Sequence, residues 1–87
     1  MKQAIAGTVE SSDILVAISE NATGIVITLE SIVKKQFGAA IEATIAEMLR
    51  IHDLDKVRVQ ATDKGALDCT IRARMETAII RYKEQTA

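Results

Sequence analysis

The sequence predicts an α+β fold in which two amphipathic helices pack on a largely antiparallel four-stranded sheet, in the order β-β-β-α-β-α. The prediction rests on the spacing of apolar residues, which alternate up to residue 30 and follow a helical period from residue 32. An alternating stretch returns at residues 57–62, before a second helical period. The 87 residues, 48% hydrophobic and 26% charged, have the size and composition of one globular domain over residues 1–87.

Three strands are predicted in the first third of the chain. Residues 4–9 form a short strand, and residues 14–18 form a second one whose two faces are both apolar, so we expect it inside the sheet. Turn-forming residues at positions 19–24 separate it from a third strand at residues 25–29. We expect these three strands to form a meander, in which each strand pairs with the next.

The first helix is predicted over residues 32–52, with Ser31 as its cap. Its apolar stripe runs from Phe37 to Leu49, and its charged residues lie away from the centre of that stripe. His52 lies at the end of the stripe, where a cation interacts favourably with the helix dipole. We therefore interpret His52 as a capping and packing residue rather than a catalytic one.

A fourth strand and a second helix complete the predicted fold. Residues 57–62 alternate as in a half-buried strand, and Asp63 is expected to cap a helix over residues 64–82. The main apolar stripe of this helix begins at Leu67. A second line of small or apolar residues lies opposite and is expected to pack against the first helix or another subunit: Ala66, Cys69, Ala73 and Ile80.

Composition excludes several classes of function. The net charge is -1, and Phe37 and Tyr82 are the only aromatic residues, which argues against nucleic-acid binding. The first residues lack the apolar core of a signal peptide, and no apolar run approaches the length of a membrane helix. With a single cysteine, Cys69, the chain fits a reducing compartment, and we expect a cytoplasmic protein.

Catalytic and metal-binding residues are not predicted. One histidine and one cysteine lie far apart in the sequence, so neither has the paired spacing of a zinc site. Asp53 and Asp55 are typical of a connecting loop, and the glycine at position 65 does not make a phosphate-binding fingerprint. We interpret Cys69 as a packed small residue rather than a thiol catalyst.

The one candidate for chemistry is a serine pair, Ser11 and Ser12, in the polar stretch between the first two strands. Serine and aspartate favour tight turns because their side chains bond to nearby backbone groups. Such a turn exposes its hydroxyls to water. No histidine or lysine lies nearby to activate a nucleophile, so the residues alone leave two readings, a plain turn or a site of covalent attachment.

Three segments, taken together and in order, resemble the acyl carrier protein, or gamma subunit, of citrate lyase. They are AGTVESSD at residues 6–13, VKKQFGAAI at residues 33–41, and DKGALDC at residues 63–69 followed by Arg72-Ala73-Arg74. Each segment alone is a weak signal, but three in register over most of a short chain are specific.

The resemblance implies a non-catalytic carrier. In that family the serine after the glutamate of the turn carries phosphoribosyl-dephospho-coenzyme A through a phosphodiester bond, and this serine corresponds to Ser11. Ser12 is the second candidate. The implied partners are the alpha subunit (citrate:acetyl-carrier transferase), the beta subunit (citryl-carrier lyase) and the prosthetic-group transferase. Two alternatives stay open: the carrier subunit of malonate decarboxylase, which uses the same prosthetic group, and an unmodified interaction module that docks through Cys69, Ala73 and Ile80.

Overall fold

The structure, a computed structural model, describes residues 2–85, so Met1 and the last two residues of the predicted 1–87 domain lie outside the described residues. Within them the chain forms four strands and two helices in the predicted order. Their bounds are β1 (Gln3–Gly7), β2 (Ile14–Glu20), β3 (Val26–Ser31), α1 (Lys34–Ile51), β4 (Val57–Asp63) and α2 (Asp68–Glu84). None of the helices in this part of the chain is long and apolar enough to cross a membrane.

The sheet is mixed, with the strand order β1-β2-β4-β3. β2 pairs antiparallel with both β1 and β4, while β3 pairs parallel with β4. The predicted α+β class and the largely antiparallel sheet are therefore confirmed, as is the internal position of β2. The meander is wrong, because β4 lies between β2 and β3. The chain passes from β3 through α1 before entering β4, and a helical crossover of this kind is what joins two parallel strands.

Both helices cover one face of the sheet, and the core lies between the two layers. The residues that face the helices alternate along each strand; Ile14, Val16 and Ile18 of β2 are fully buried, and so is Val59 of β4. α2 packs over β1 and β2, whereas α1 packs over β3 and against α2. The largest fully buried apolar side chains that the helices add to the core are Ile45, Leu49, Met75 and Ile79.

The helices begin later than predicted. α1 begins at Lys34 rather than at residue 32, because Ser31 is the last residue of β3 and its hydroxyl accepts a hydrogen bond from the Val33 amide at 3.0 Å. α2 begins at Asp68, since Asp63 ends β4 and is buried. The Asp63 carboxylate accepts hydrogen bonds from the Ser31 hydroxyl at 2.7 Å and from the Ala66 amide at 2.9 Å. The predicted end of the first helix near His52 is confirmed.

Three of the four strands terminate at the same end of the sheet. β1, β4 and β3 all run in the same direction, because each of the two antiparallel pairings reverses the chain and the last pairing does not. Their carboxyl ends, at Gly7, Asp63 and Ser31, therefore lie at this end of the sheet. The β1–β2 turn and the amino-terminal ends of both helices lie at the same end of the molecule.

Candidate attachment site

The serine pair occupies the tip of the turn between β1 and β2. The Asp13 amide donates a hydrogen bond to the Glu10 carbonyl at 3.1 Å, which closes a four-residue turn with Ser11 second and Ser12 third. Ser12 has φ 66°, the left-handed conformation that the third position of a type II turn requires. Both serines are exposed, and within residues 2–85 neither hydroxyl makes a hydrogen bond. A group attached to the Ser11 Oγ would extend directly into solvent.

The backbone of this tip is fixed to the segment that follows β4. The Ser12 amide donates to the Lys64 carbonyl at 2.8 Å, and the Lys64 amide donates to the Asp13 carbonyl at 2.9 Å. These two bonds extend the β2–β4 ladder beyond the last strand residues. The tip therefore combines a constrained backbone with free side-chain hydroxyls.

A buried carboxylate holds the base of the tip. Asp13 accepts hydrogen bonds from the Thr8 hydroxyl at 2.6 Å, from the Ile14 amide at 2.7 Å, and from the Nε and a terminal amine of Arg74, each at 3.0 Å. The hydrogen bonds from the Arg74 guanidinium, followed by those from Thr8 and Ile14, hold the pKa of Asp13 well below its ordinary range. Asp13 is therefore a carboxylate whose charge is balanced by α2.

The lowered pKa of Asp13 predicts a specific pH dependence of stability. Because the folded-state pKa lies below the unfolded value of about 3.9, ionised Asp13 stabilises the fold above that pH, and the contribution declines as the pH falls towards the folded-state pKa. We expect Asp13→Asn to lower the urea midpoint of unfolding at pH 6 and to differ less from the wild type at pH 2.5, where part of this contribution is lost. Asp55→Asn, at an exposed position of the α1–β4 connector, is the control and should show no such convergence. An equal loss for Asp13→Asn at both pH values would contradict the role of its charge.

A second ionic network joins the second half of α1 to the first half of α2. Asp68 accepts a hydrogen bond from the Thr44 hydroxyl at 2.7 Å and pairs with the Arg72 Nε at 2.7 Å. Arg72 also pairs with Glu47 of α1 at 2.6 Å. The bonds from Thr44 and then Arg72 lower the pKa of Asp68. Arg81 in turn donates to the Ile5 carbonyl at 2.7 Å, so the positive charges of α2 serve contacts within this chain.

The remaining predicted residues do not converge on a site. His52 lies at the end of α1, and Asp53 and Asp55 are exposed in the connector after it. Within residues 2–85 no three histidine, cysteine, aspartate or glutamate side chains are close enough together to hold a metal ion. Cys69 was predicted as a packed residue, but its thiol is exposed, because Cys69 lies on the outward face of α2 with the exposed residues Ala73 and Ile80.

Two residues predicted within buried stripes lie instead beside an open groove. Phe37 is 56% exposed and Leu67 is 70% exposed. The groove, of about 340 Å³, lies between the first half of α1 and residues 65–71. Sequence reasoning missed this groove because helical periodicity shows which residues share one face of a helix. It does not show how much of that face is covered by the sheet or the other helix. It also missed the Asp13–Arg74 pair, whose partners are 61 residues apart.

Comparison with known proteins places these features in a family. The citrate lyase acyl carrier protein of Lactobacillus acidophilus is 54% identical over 81 residues, which are 93% of this chain and 84% of that protein. The chain belongs to the citrate lyase acyl carrier protein family. Citrate lyase acyl carrier protein 2 of Salmonella typhimurium is 47% identical over 87 residues, 99% of this chain and 90% of that protein. The resemblance predicted from the three segments is confirmed.

Two further comparisons connect this citrate lyase family to malonate decarboxylase. The family model described as malonate decarboxylase delta subunit (MdcD) matches residues 1–82. The crystal structure of a Pseudomonas malonate decarboxylase hetero-tetramer in complex with malonate contains a chain with the same fold. The TM-score is 0.69 at 18% identity, covering 95% of this chain and 82% of that one. A chain of the malonate decarboxylase hetero-tetramer therefore has the same α+β fold as this protein, and this structural likeness shows the fold alone.

Proposed function

We propose that this chain is the acyl carrier subunit of a citrate lyase complex and holds its acyl group on phosphoribosyl-dephospho-coenzyme A, joined to the Ser11 Oγ by a phosphodiester bond. The observation that carries the proposal is the position of Ser11, exposed at the tip of a backbone-constrained turn, in a chain of the citrate lyase carrier family. Ser12 is exposed beside it and is the second candidate.

The surroundings of Ser11 fit an anionic group of this kind. The nearest buried acid, Asp13, is neutralised by Arg74, which reduces its repulsion of a phosphodiester two residues away. Within residues 2–85 the Ser11 hydroxyl has no hydrogen-bond partner that would act as a base. The chain therefore presents the hydroxyl, and the prosthetic-group transferase supplies the group that takes its proton.

A carrier contributes position rather than acid or base chemistry. When bound, the prosthetic group supplies a terminal thiol that holds acetyl or citryl as a thioester. Tethering to Ser11 keeps that thioester near each partner at an effective concentration on the order of millimolar for a short flexible link. The partners are the alpha subunit, which exchanges acetate for citrate, and the beta subunit, which releases oxaloacetate and leaves acetyl on the carrier. The single exposed cysteine is compatible with the expected cytoplasmic location.

Peptide mapping of the protein purified from its native host tests this proposal. Cleavage after Glu10 and Glu20 isolates residues 11–20, which contain both candidate serines at one end. We expect this peptide to carry the mass of the phosphoribosyl-dephospho-coenzyme A group, with fragmentation placing it on Ser11. Protein expressed without its own prosthetic-group transferase is the control and should be unmodified. An unmodified peptide from the native host would instead favour the interaction module.

The carrier of malonate decarboxylase is the second candidate function, since the matching family model and the solved structure both belong to that enzyme. The two assignments differ in what the purified native complex does. A citrate lyase complex forms oxaloacetate from citrate, whereas a malonate decarboxylase complex releases carbon dioxide from malonate. Identities of 47% and 54% to citrate lyase carriers support the first assignment.

A further inference from the structure

The groove between α1 and the start of α2 is apolar and open to solvent. Its volume is about 340 Å³, and its floor is closed by the contact of the two helices. Thr44 and Asp68, its polar residues, bond to each other at 2.7 Å. The apolar residues that define its walls are Val33, Phe37, Ala40, Ala66, Leu67 and Ile71.

Three large apolar side chains are exposed together at this groove. Phe37 and Leu67 leave more than half of their surfaces in water, and Ile32, next to the groove, is 68% exposed. Burial of apolar surface is worth about 25 cal/mol per Å², so three large exposed side chains in one place represent stabilisation that folding alone does not use. A ligand that covers them would recover it.

The three segments that carry the family resemblance meet at this end of the molecule. Residues 6–13 form the serine tip, residues 33–41 supply the α1 wall of the groove, and residues 63–69 supply the opposite wall. The tip touches the third segment directly, because Ser12 and Lys64 share a backbone hydrogen bond of 2.8 Å. The groove begins at the next residue, Gly65. A long appendage on Ser11 therefore starts a few residues from the groove.

The size of the groove favours a small-molecule group over a protein as its occupant. Sites for small molecules have volumes of about 300–1,000 Å³, whereas a stable protein interface takes about 800 Å² from each partner. The groove falls in the first range. Tethering also favours the arm, since a group held at millimolar effective concentration fills even a weak site. A weak site suits a carrier because the arm must leave it to reach each catalytic subunit.

We propose that this groove receives the apolar, dimethyl-bearing segment of the coenzyme A-type arm attached to Ser11, with Phe37 and Leu67 covering it. The inference rests on the proposed function. The phosphates of the arm stay outside the groove, near the tip and Lys64.

The sequence offers a direct probe, since Phe37 is the only phenylalanine and Tyr82 the only tyrosine. Fluorinated phenylalanine gives one ¹⁹F resonance at the groove. Fluorinated tyrosine gives one at Tyr82, which is buried and about 21 Å further along α2 than Asp68. We expect loading of the arm, verified by intact mass, to shift the Phe37 resonance and leave the Tyr82 resonance in place.

Two matched variants separate docking from indirect effects. Leu67→Gln changes an exposed groove residue and should reduce the loading-induced shift of Phe37 by more than half. Ile51→Gln changes a residue that is 57% exposed at the other end of α1 and should leave that shift intact. Because both side chains are exposed, both variants are expected to fold.

The outcomes distinguish this inference from the function on which it rests. Protein that carries the added mass on Ser11 but shows an unmoved Phe37 resonance would overturn the docking inference and leave the carrier function standing. A Phe37 resonance that moves only after a catalytic subunit is added would make the groove a protein contact instead. Absence of the added mass would overturn the proposed function, and the docking inference with it.

Discussion

Ser11→Ala is expected to abolish attachment of the prosthetic group completely. The Ser11 hydroxyl is exposed at the second position of the turn and makes no hydrogen bond within residues 2–85, so its removal leaves the fold intact while deleting the attached atom. The measurement is the intact mass of the variant co-expressed with its own prosthetic-group transferase. The added mass should fall from full occupancy to none, and the urea midpoint of unfolding should stay within error of the wild type.

Ser12→Ala is the matched control for that experiment. Its hydroxyl is also exposed and makes no hydrogen bond among the described residues, and alanine carries a Cβ as serine does, so the backbone strain at φ 66° changes little. We expect this variant to retain the added mass. A reversed result, in which Ser12→Ala loses the mass and Ser11→Ala keeps it, would move the attachment to Ser12 while preserving the carrier function.

Elements with strong local patterns were predicted correctly. The apolar residues of β2 on both faces indicated an internal strand, and Ile14, Val16 and Ile18 are indeed fully buried there. The helical period ending near His52 matches the end of α1. These predictions needed only the spacing of side chains along one segment, which a helix or strand imposes directly. The exposed turn at Ser11 was predicted from the turn preference of serine and aspartate, which is also a local property.

Features that depend on a distant partner could not be predicted. β3 looked like the third strand of a meander, yet its neighbour is β4, which arrives only after the α1 crossover. Asp63 was predicted as a helix cap, but its carboxylate accepts a hydrogen bond from Ser31 on the adjacent parallel strand. This partner lies 32 residues earlier, so the local sequence could not show it. The same limit applies to Asp13 and Arg74. The local sequence can indicate that a polar side chain needs a hydrogen-bond partner, but it does not show which distant residue supplies that partner.

Gly7→Ala is expected to destabilise this chain strongly. Gly7 has φ 94°, a left-handed conformation that costs a non-glycine residue about 1–3 kcal/mol. An added Cβ would also lie 1.9 Å from the Ile14 carbonyl oxygen, which is backbone and cannot rotate away. We expect a combined loss of at least about 4 kcal/mol, measured by urea unfolding followed by circular dichroism. A domain of this size has a total stability of about 4–13 kcal/mol, so the loss unfolds the variant at the low end of this range and removes about a third of its stability at the high end.

Gly24→Ala separates the two contributions to that loss. Gly24 has φ 127°, but an added Cβ there meets no heavy atom within 4 Å, so only the backbone strain of about 1–3 kcal/mol applies. The difference between the two variants therefore measures the contact with the Ile14 carbonyl. Equal losses would mean that β1 moves away from β2 at little cost. In that case the serine tip, which continues from Gly7, would also be displaced from Lys64, and loading of Ser11 in Gly7→Ala should fall even where the domain remains folded.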